Sequence, residues 1–399
     1  MKGTITIVGG HILGGVSGGP TTHISELSQL LTEKYQVNVI SPSKSSKREL
    51  IRNGKLTVYL EPKGPLMPLH VLNRFFKLIS NSDIIHFHSA KTALLGLFIR
   101  KKPIVLTLHG YYSKESVKYS LKFLNSIYSE ILKFIEYISI RRADIIIVVG
   151  KGIGKYVIDQ FDVNPQKLVY IPNGIDVDKI NNLCNDYFES SMSLKSRLGL
   201  EDKKIILFIK SFTAYNGIIE LIKSMPTILK SHPDAHLVAI GGGPIKSEII
   251  RLCKELEAEP NITLLDQIAH DSVPMYLNIA NVFVVPFIPP YISSSQVAGV
   301  GDTLGIVHLE AMAAKVPVIG TAIGNISELE KEMKGAIKYV PPEDYLSLAK
   351  MINYLLNSPE LCNHLGHLGY DVVAQDYDIH KICKEISSVY DSLIASEVP

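Results

Sequence analysis

With 399 residues the chain exceeds what one ordinary hydrophobic core organises, so two domains are expected. Apolar residues make up 46% and charged residues 20%, with a net charge of +2, which excludes a disordered chain and a global basic field for nucleic acid. The four cysteines, Cys184, Cys253, Cys362 and Cys383, form no C-x-x-C pair and point to reduced thiols in a cytoplasmic setting. The opening residues show no signal-peptide pattern, and no apolar run approaches the length of a membrane span.

Thr4 to Val8 predicts a buried parallel strand. A glycine-rich loop follows, Gly14-Gly15-Val16-Ser17-Gly18-Gly19-Pro20, and Thr21 to Lys34 has helical spacing. With a strand at Val37 to Ile40 this makes a β-α-β unit, the seed of a doubly wound sheet. The loop lacks G-x-G-x-x-G, so no nicotinamide cofactor is expected. Ser43 to Lys55 is polar and basic and predicts a solvated connector. Asp83 to His88 and Pro103 to His109 are two strands ending in histidine, at the carboxyl ends where open α/β sheets bind ligands. His109 is the favoured site residue, because Gly110 leaves its backbone room. Ser113 to Arg142 is helical, with Lys114, Lys118 and Lys122 on one face. That face suits either bulk water or a membrane surface. Asp144 to Val149 is a strand leading into Gly150-Lys151-Gly152-Ile153-Gly154-Lys155, which fails the P-loop pattern because Tyr156 follows. Pro172-Asn173-Gly174 closes a last strand and marks the domain junction.

The β-α alternation restarts at Lys203 to Lys210. Strands are expected at His236 to Ile240, before Gly241-Gly242-Gly243-Pro244, and at Ile262 to Leu265, Val282 to Pro286 and Val316 to Gly320. The stretch Asp302-Thr303-Leu304-Gly305-Ile306-Val307-His308-Leu309-Glu310 opens with a carboxylate in a loop and runs into a helix former. Asp302 is placed to cap that helix, and Glu310 lies about two turns on. The amides of Thr303, Leu304, Gly305, Ile306 and Val307 lie at the positive helix end, an anion site between two carboxylates. Such a frame suits a ligand that is half phosphate and half polyol, as a sugar nucleotide is. An ordinary capped helix with a buried Glu accounts for the same residues. The fold class that results is α/β, two tandem Rossmann-like domains with a cleft between them. Residues 1–172 are expected to form the first domain and 173–375 the second, which the family resemblance that follows makes the acceptor side and the donor side. A C-terminal helix, 376–399, is expected to pack back on the first domain.

Over nearly its whole length the chain resembles the retaining glycosyltransferases of family four, with the GT-B fold. The resemblance runs through Gly18-Gly19, Asp83-Ile-Ile-His-Phe-His88, the P-x-V-x-T-x-H-G run at Pro103 to Gly110, Ile171-Pro-Asn-Gly-Ile-Asp176, Gly241-Gly-Gly-Pro244, Asp302 with Glu310 in D-x7-E form, Pro317-Val-Ile and Gly324. It implies transfer of a hexose from a UDP- or GDP-linked donor to a glycan, glycolipid or lipid-linked acceptor, with retention, no metal and no cofactor. In that pattern Glu310 grips the nucleotide ribose, and Asp302 stands for the Glu that contacts the sugar. Leu304 to Val307 hold sugar and phosphate through their amides. His109 lies beside the sugar, Gly19 near the diphosphate and Ile268 near the base. The family's diphosphate-clamping Arg and Lys are replaced by Ser211 and Asn216, which leaves Lys210 to supply a cation. A nucleotide-sugar 2-epimerase and a non-catalytic partner subunit are the alternative readings. Peripheral membrane contact would run through Lys114, Lys118 and Lys122, and no nucleic-acid partner is expected.

Overall fold

The computed structural model describes residues 3–11, 13, 18–62, 67–99, 102–110, 122–288, 305–321 and 330–396; for 67–73 and 122–129 it describes the backbone. The chain divides into two compact units. One comprises Met1–Gly174 with Ile379–Pro399, and the other Ile175–Asp378.

The first unit is built on β1 (Thr4–Val8), β2 (Gln36–Ser43), β3 (Glu49–Asn53), β4 (Leu56–Pro62), β5 (Ile84–Phe87), β6 (Ile104–Leu108), β7 (Ile145–Val148) and β8 (Leu168–Tyr170). Their order in the sheet is β3-β4-β2-β1-β5-β6-β7-β8. All pairs are parallel except β3 with β4. The central strands Ile-Ile-His-Phe and Ile-Val-Leu-Thr-Leu are buried along their whole length, as a sheet covered on both faces requires. The polar connector expected from 43 to 55 is instead the edge hairpin of β3 and β4, turned at Gly54 with φ 57°. Every residue of β3 except Ile51 is exposed, so the strand never shows the alternating apolar signal. Its charged edge fits a strand with one free side.

The helix Ile379–Ser396 completes this unit's core rather than the second unit's. Ile379, Ile382, Ile386 and Tyr390 pack in one buried cluster with Ile5, Ile7, Leu27, Ile84 and Val105. Tyr35 fixes the helix further, its hydroxyl bonding Asp391 Oδ1 at 2.6 Å and its ring meeting Tyr390 edge-on.

The second unit carries β9 (Lys204–Ile209), β10 (Ala235–Ile240), β11 (Ile262–Leu265), β12 (Val282–Val284), β13 (Val318–Thr321) and β14 (Ile337–Val340), in the order β11-β10-β9-β12-β13-β14 and parallel throughout. Two helices that the sequence pattern had not signalled, Val177–Asp186 and Phe188–Arg197, precede β9. Among the described residues no helix is long and apolar enough to cross a membrane. Among the parallel strands of each unit the order reverses once, beside β1 in the first and β9 in the second. Ligands of open α/β sheets bind at the carboxyl ends of the strands at such a reversal.

Ile386 is 2% exposed in the cluster that joins the last helix to the sheet. Ile386→Ala is therefore expected to cost about 2–5 kcal/mol in urea unfolding, a loss that a loosely attached terminal helix would not show.

Candidate functional site

In the second unit the site grows from the ends of β9, β10 and β12. Lys210 directly follows β9, and the Gly241-Gly-Gly243 turn follows β10. The turn is pressed onto residues 210–212: Lys210 N donates to Ile240 O at 3.1 Å and Phe212 N to Gly242 O at 3.0 Å. A Cβ on Gly241 would stand 2.1 Å from Lys210 O, and one on Gly243 2.1 Å from Phe212 O. Backbone that close to backbone admits only glycine, which explains the two glycines physically.

Lys210 is half-buried. Its Nζ sits 5.5 Å from the Phe287 ring centroid, and a Cβ on Gly305 would lie 3.2 Å from it. Gly305 is the N-cap of the helix Ile306–Ala313. The ammonium therefore stands at the positive end of a helix, where a cation is unfavourable and an anion favourable. Burial lowers the Lys210 pKa, and the Glu310 carboxylate opposes that shift. Glu310 sits inside this helix, its side chain 3% exposed, with Oε1 3.3 Å from His270 Nε2. Burial holds the His270 pKa below its usual value, with Asp271 acting to raise it and Lys179 to lower it. His308 is buried between Phe283 and Phe287. Burial, with Lys210 nearby, pushes its pKa down to about 3.

The first helical amides belong to Ile306 and Val307, since Gly305 and not Asp302 holds the cap position, and its carbonyl accepts from His308 N at 2.9 Å. Asp302, Thr303 and Leu304 lie outside the described residues, as do Lys114, Lys118 and the side chain of Lys122. At the positions of the expected Arg and Lys, Asn216 Nδ2 donates to Ser211 O at 2.7 Å and to Ser211 Oγ at 2.8 Å. The two neutral side chains close the loop on itself and supply no charge. Gly243 is exposed, and Ile268 is a half-buried flank of the core beyond β11. His270 was not foreseen: one histidine near a strand end carries little signal until the fold sets it against Glu310.

In the first unit, Gly18 is the exposed N-cap of the helix Gly19–Leu31, with φ 141°, and its carbonyl accepts from Thr21 N and Thr22 N. The register Ile7↔His86↔Val105 puts His86 beside the core residues of β1 and β6. His88 lies two residues beyond His86, and His109 two beyond Thr107, on that same face. His86 Nδ1 is 2.5 Å from Tyr390 Oη, and its Nε2 is 2.6 Å from Thr107 Oγ1. His88 Nδ1 is 2.9 Å from His109 Nε2, with the rings stacked at 5.2 Å. His23 accepts from Gly174 N on Nδ1 at 3.2 Å, and its ring meets His109 at 6.2 Å. Burial pushes His23 down to about 4 and His86 and His109 to about 3, while neighbouring imidazoles lower them further in the last two. His88 falls well below its usual value for the same reasons. Four imidazoles are thus held neutral together.

Two family models match the chain, one described as Glycosyltransferase Family 4 over residues 17–179 and one as Glycosyl transferases group 1 over residues 192–372. An uncharacterized glycosyltransferase of Methanocaldococcus jannaschii is 27% identical over 324 residues, 78% of this chain and 76% of that protein. Among solved structures, sucrose-phosphate synthase from Thermosynechococcus elongatus superposes with a TM-score of 0.78 at 21% identity, covering 98% of this chain and 99% of that one. Anabaena HepE in complex with UDP-glucose gives a TM-score of 0.73 at 17% identity, covering 98% and 100%.

The neutral imidazoles set a pH dependence. Unfolded, each takes a proton near its ordinary value of 6.5; folded, His23, His86 and His109 do so only near 3 to 4. Between those limits the unfolded chain binds more protons, so stability rises with pH and falls as the solution is acidified. Each histidine contributes a slope of about 1.4 kcal/mol per pH unit in that window. Urea midpoints at pH 7, 6 and 5 are expected to drop steadily, and equal midpoints would show that these rings titrate normally.

Proposed function

The chain belongs to the glycosyltransferases of group 1 and family 4, and on that premise we propose that it moves a hexose from a nucleotide-diphosphate sugar to an acceptor hydroxyl with retention of anomeric configuration. The observation that carries this reading is the Lys210 ammonium against the N-cap of the helix that bears Glu310. A diphosphate brings the negative charge that this pair of positive ends favours. Glu310 then takes the ribose hydroxyls, with His270 Nε2 against its Oε1 at 3.3 Å. Ile268 flanks the base, and Gly243, Ser211 and Asn216 line the donor through neutral groups. UDP is the first donor base to try, because it is bound by HepE, a neighbour of the same fold.

Mechanistically, the departing diphosphate carries the developing charge, stabilised by Lys210 and the amides of Ile306 and Val307. No metal enters this scheme. His109, held at a pKa of about 3, is a poor proton acceptor at neutral pH and serves as a hydrogen-bonding group on the sugar. The acceptor's proton goes instead to the leaving phosphate oxygen, the route that retaining, front-face substitution requires. Asp302 takes the remaining sugar hydroxyls. The acceptor is a glycan, a glycolipid or a lipid-linked hydroxyl compound.

Transfer from UDP- and GDP-hexoses to a panel of glycosides, followed by proton NMR of the product, tests this directly. Retention of the donor's anomeric configuration, unchanged activity in EDTA and a loss of at least about 100-fold in Glu310→Ala with an unaltered melting temperature are expected. Inverted product would overturn the mechanism. Release of an isomerised donor without acceptor would identify an epimerase instead.

A further inference from the structure

Between the hairpin of β3 and β4 and the helix Met67–Ser80 lies a cavity of about 340 Å³, lined by Arg48, Leu50, Tyr59, Glu61, Arg74 and Phe75 among others. Resting on the proposed transfer to an acceptor hydroxyl, we propose that this cavity is an acceptor subsite, in which Arg48 and Arg74 hold a phosphate group of the acceptor.

The pleat decides which side chains share the cavity. Leu60 points into the core cluster, so Tyr59 and Glu61 on either side of it point to the opposite face. Leu50 is the register partner of Tyr59, and Arg48 stands one step beyond the pair Glu49↔Leu60, beside Glu61. Phe75 meets Tyr59 edge-on at 5.0 Å and closes the same face from the helix. Glu49 borders the cavity, but its side chain, opposite Leu60, belongs to the other face. The cavity thus holds two guanidiniums against one carboxylate.

That carboxylate does not account for both cations. The Glu61 side chain is 4% exposed, and a buried charge needs a partner. Arg48 Nε donates to its Oε2 at 3.1 Å, which meets that need, and Arg74 Nη1 lies 3.3 Å from its Oε1 as a second cation. Among the described residues neither guanidinium faces another acid. Each turns one nitrogen to Glu61 while its side chain stays half-exposed, so the remaining N–H groups are open to a ligand. The Arg74 guanidinium also lies 5.5 Å from the Phe75 ring centroid. Two forks are therefore held in place before a ligand arrives, and a phosphate offers oxygens to both at once. Lys44 and Lys47, exposed on the connector from β2 to β3, add positive charge at the same strand ends.

Glu61 is the last residue but one of β4, so the charged rim lies at the carboxyl ends of the parallel strands, the edge that also carries His88 and His109. Leu50, Tyr59 and Phe75 line the cavity below that rim. In the sheet β4 stands three strands from β5 and four from β6, about 14 and 19 Å at ordinary strand spacing. With the transferred sugar beside His109, an acceptor anchored at the rim has to be elongated. It is an oligosaccharide or a lipid-linked saccharide whose phosphate lies away from the attacked hydroxyl, and not a monosaccharide phosphate.

Calorimetric titration of the full-length protein with methyl phosphate, and with octyl phosphate below its micelle concentration, tests the site without donor or transfer. The wild type is expected to bind at least one of the two, and Arg74→Gln to bind it at least about tenfold more weakly. Arg48 still pairs with Glu61 in that variant, so its melting temperature stays close to that of the wild type. Arg74→Lys, which keeps the charge and loses the fork, falls between the two. Octyl phosphate bound more tightly than methyl phosphate assigns a lipid-linked acceptor; equal binding assigns a phosphorylated oligosaccharide. In the transfer assay a phosphate-bearing acceptor is used at least about tenfold better in kcat/KM than the same glycan without it, and Arg74→Gln removes that preference. Binding of neither phosphate by the wild type, or equal binding by the wild type and Arg74→Gln, overturns the inference and leaves the two arginines as a staple for Glu61. Phosphate binding that depends on Arg74, without transfer to any acceptor, keeps the anion site and overturns the transferase reading, so the two fail separately.

Discussion

One lysine is set where a helix is least hospitable to it. Lys210 points its ammonium at the cap of the helix Ile306–Ala313, and burial further disfavours its charge. Much of the second unit serves to make this tolerable. The glycine turn after β10 presses on the backbone around Lys210 and fixes where its side chain starts. Phe287 offers its ring face, a weakly favourable surface for a cation. Glu310, one helical turn into the same helix, supplies the opposing charge. His308, between them, stays neutral and adds no third positive group. In the proposed function a ligand phosphate supplies further negative charge to this arrangement.

The first unit solves a different problem. Its sheet ends in imidazoles, and burial strips them of charge. Neutral rings in a row are poor proton stores and good geometric elements, because each fixes its neighbour's donor and acceptor. A transferase that must not hydrolyse its donor benefits from groups that orient hydroxyls without generating hydroxide.

How much of this was legible in the sequence differs by element. The parallel strands were, because a strand buried on both faces shows as a continuous apolar run, as in Ile145–Val148 and Ala235–Ile240. The hairpin of β3 and β4 was not, because an exposed edge strand needs no apolar face. Glu310 and His109 stood out from their positions after a strand or within a cap-and-helix stretch. His270 and His86 did not, since their roles depend on partners 40 and 304 residues away. The substitution of Ser211 and Asn216 for charged residues was visible as a departure, but not its consequence. Only the fold shows the two bonded to each other.

The central claim is that a phosphate completes the charge balance around Lys210, and calorimetric titration of uridine and guanosine diphosphates tests it most directly. One of the two is expected to bind the wild type and to bind Lys210→Met about ten- to 100-fold more weakly, the worth of a charge-assisted hydrogen bond. Lys246→Met, which removes an exposed ammonium paired with Asp266, is the control and is expected to bind as the wild type does. Equal affinity in the wild type and Lys210→Met would contradict the account.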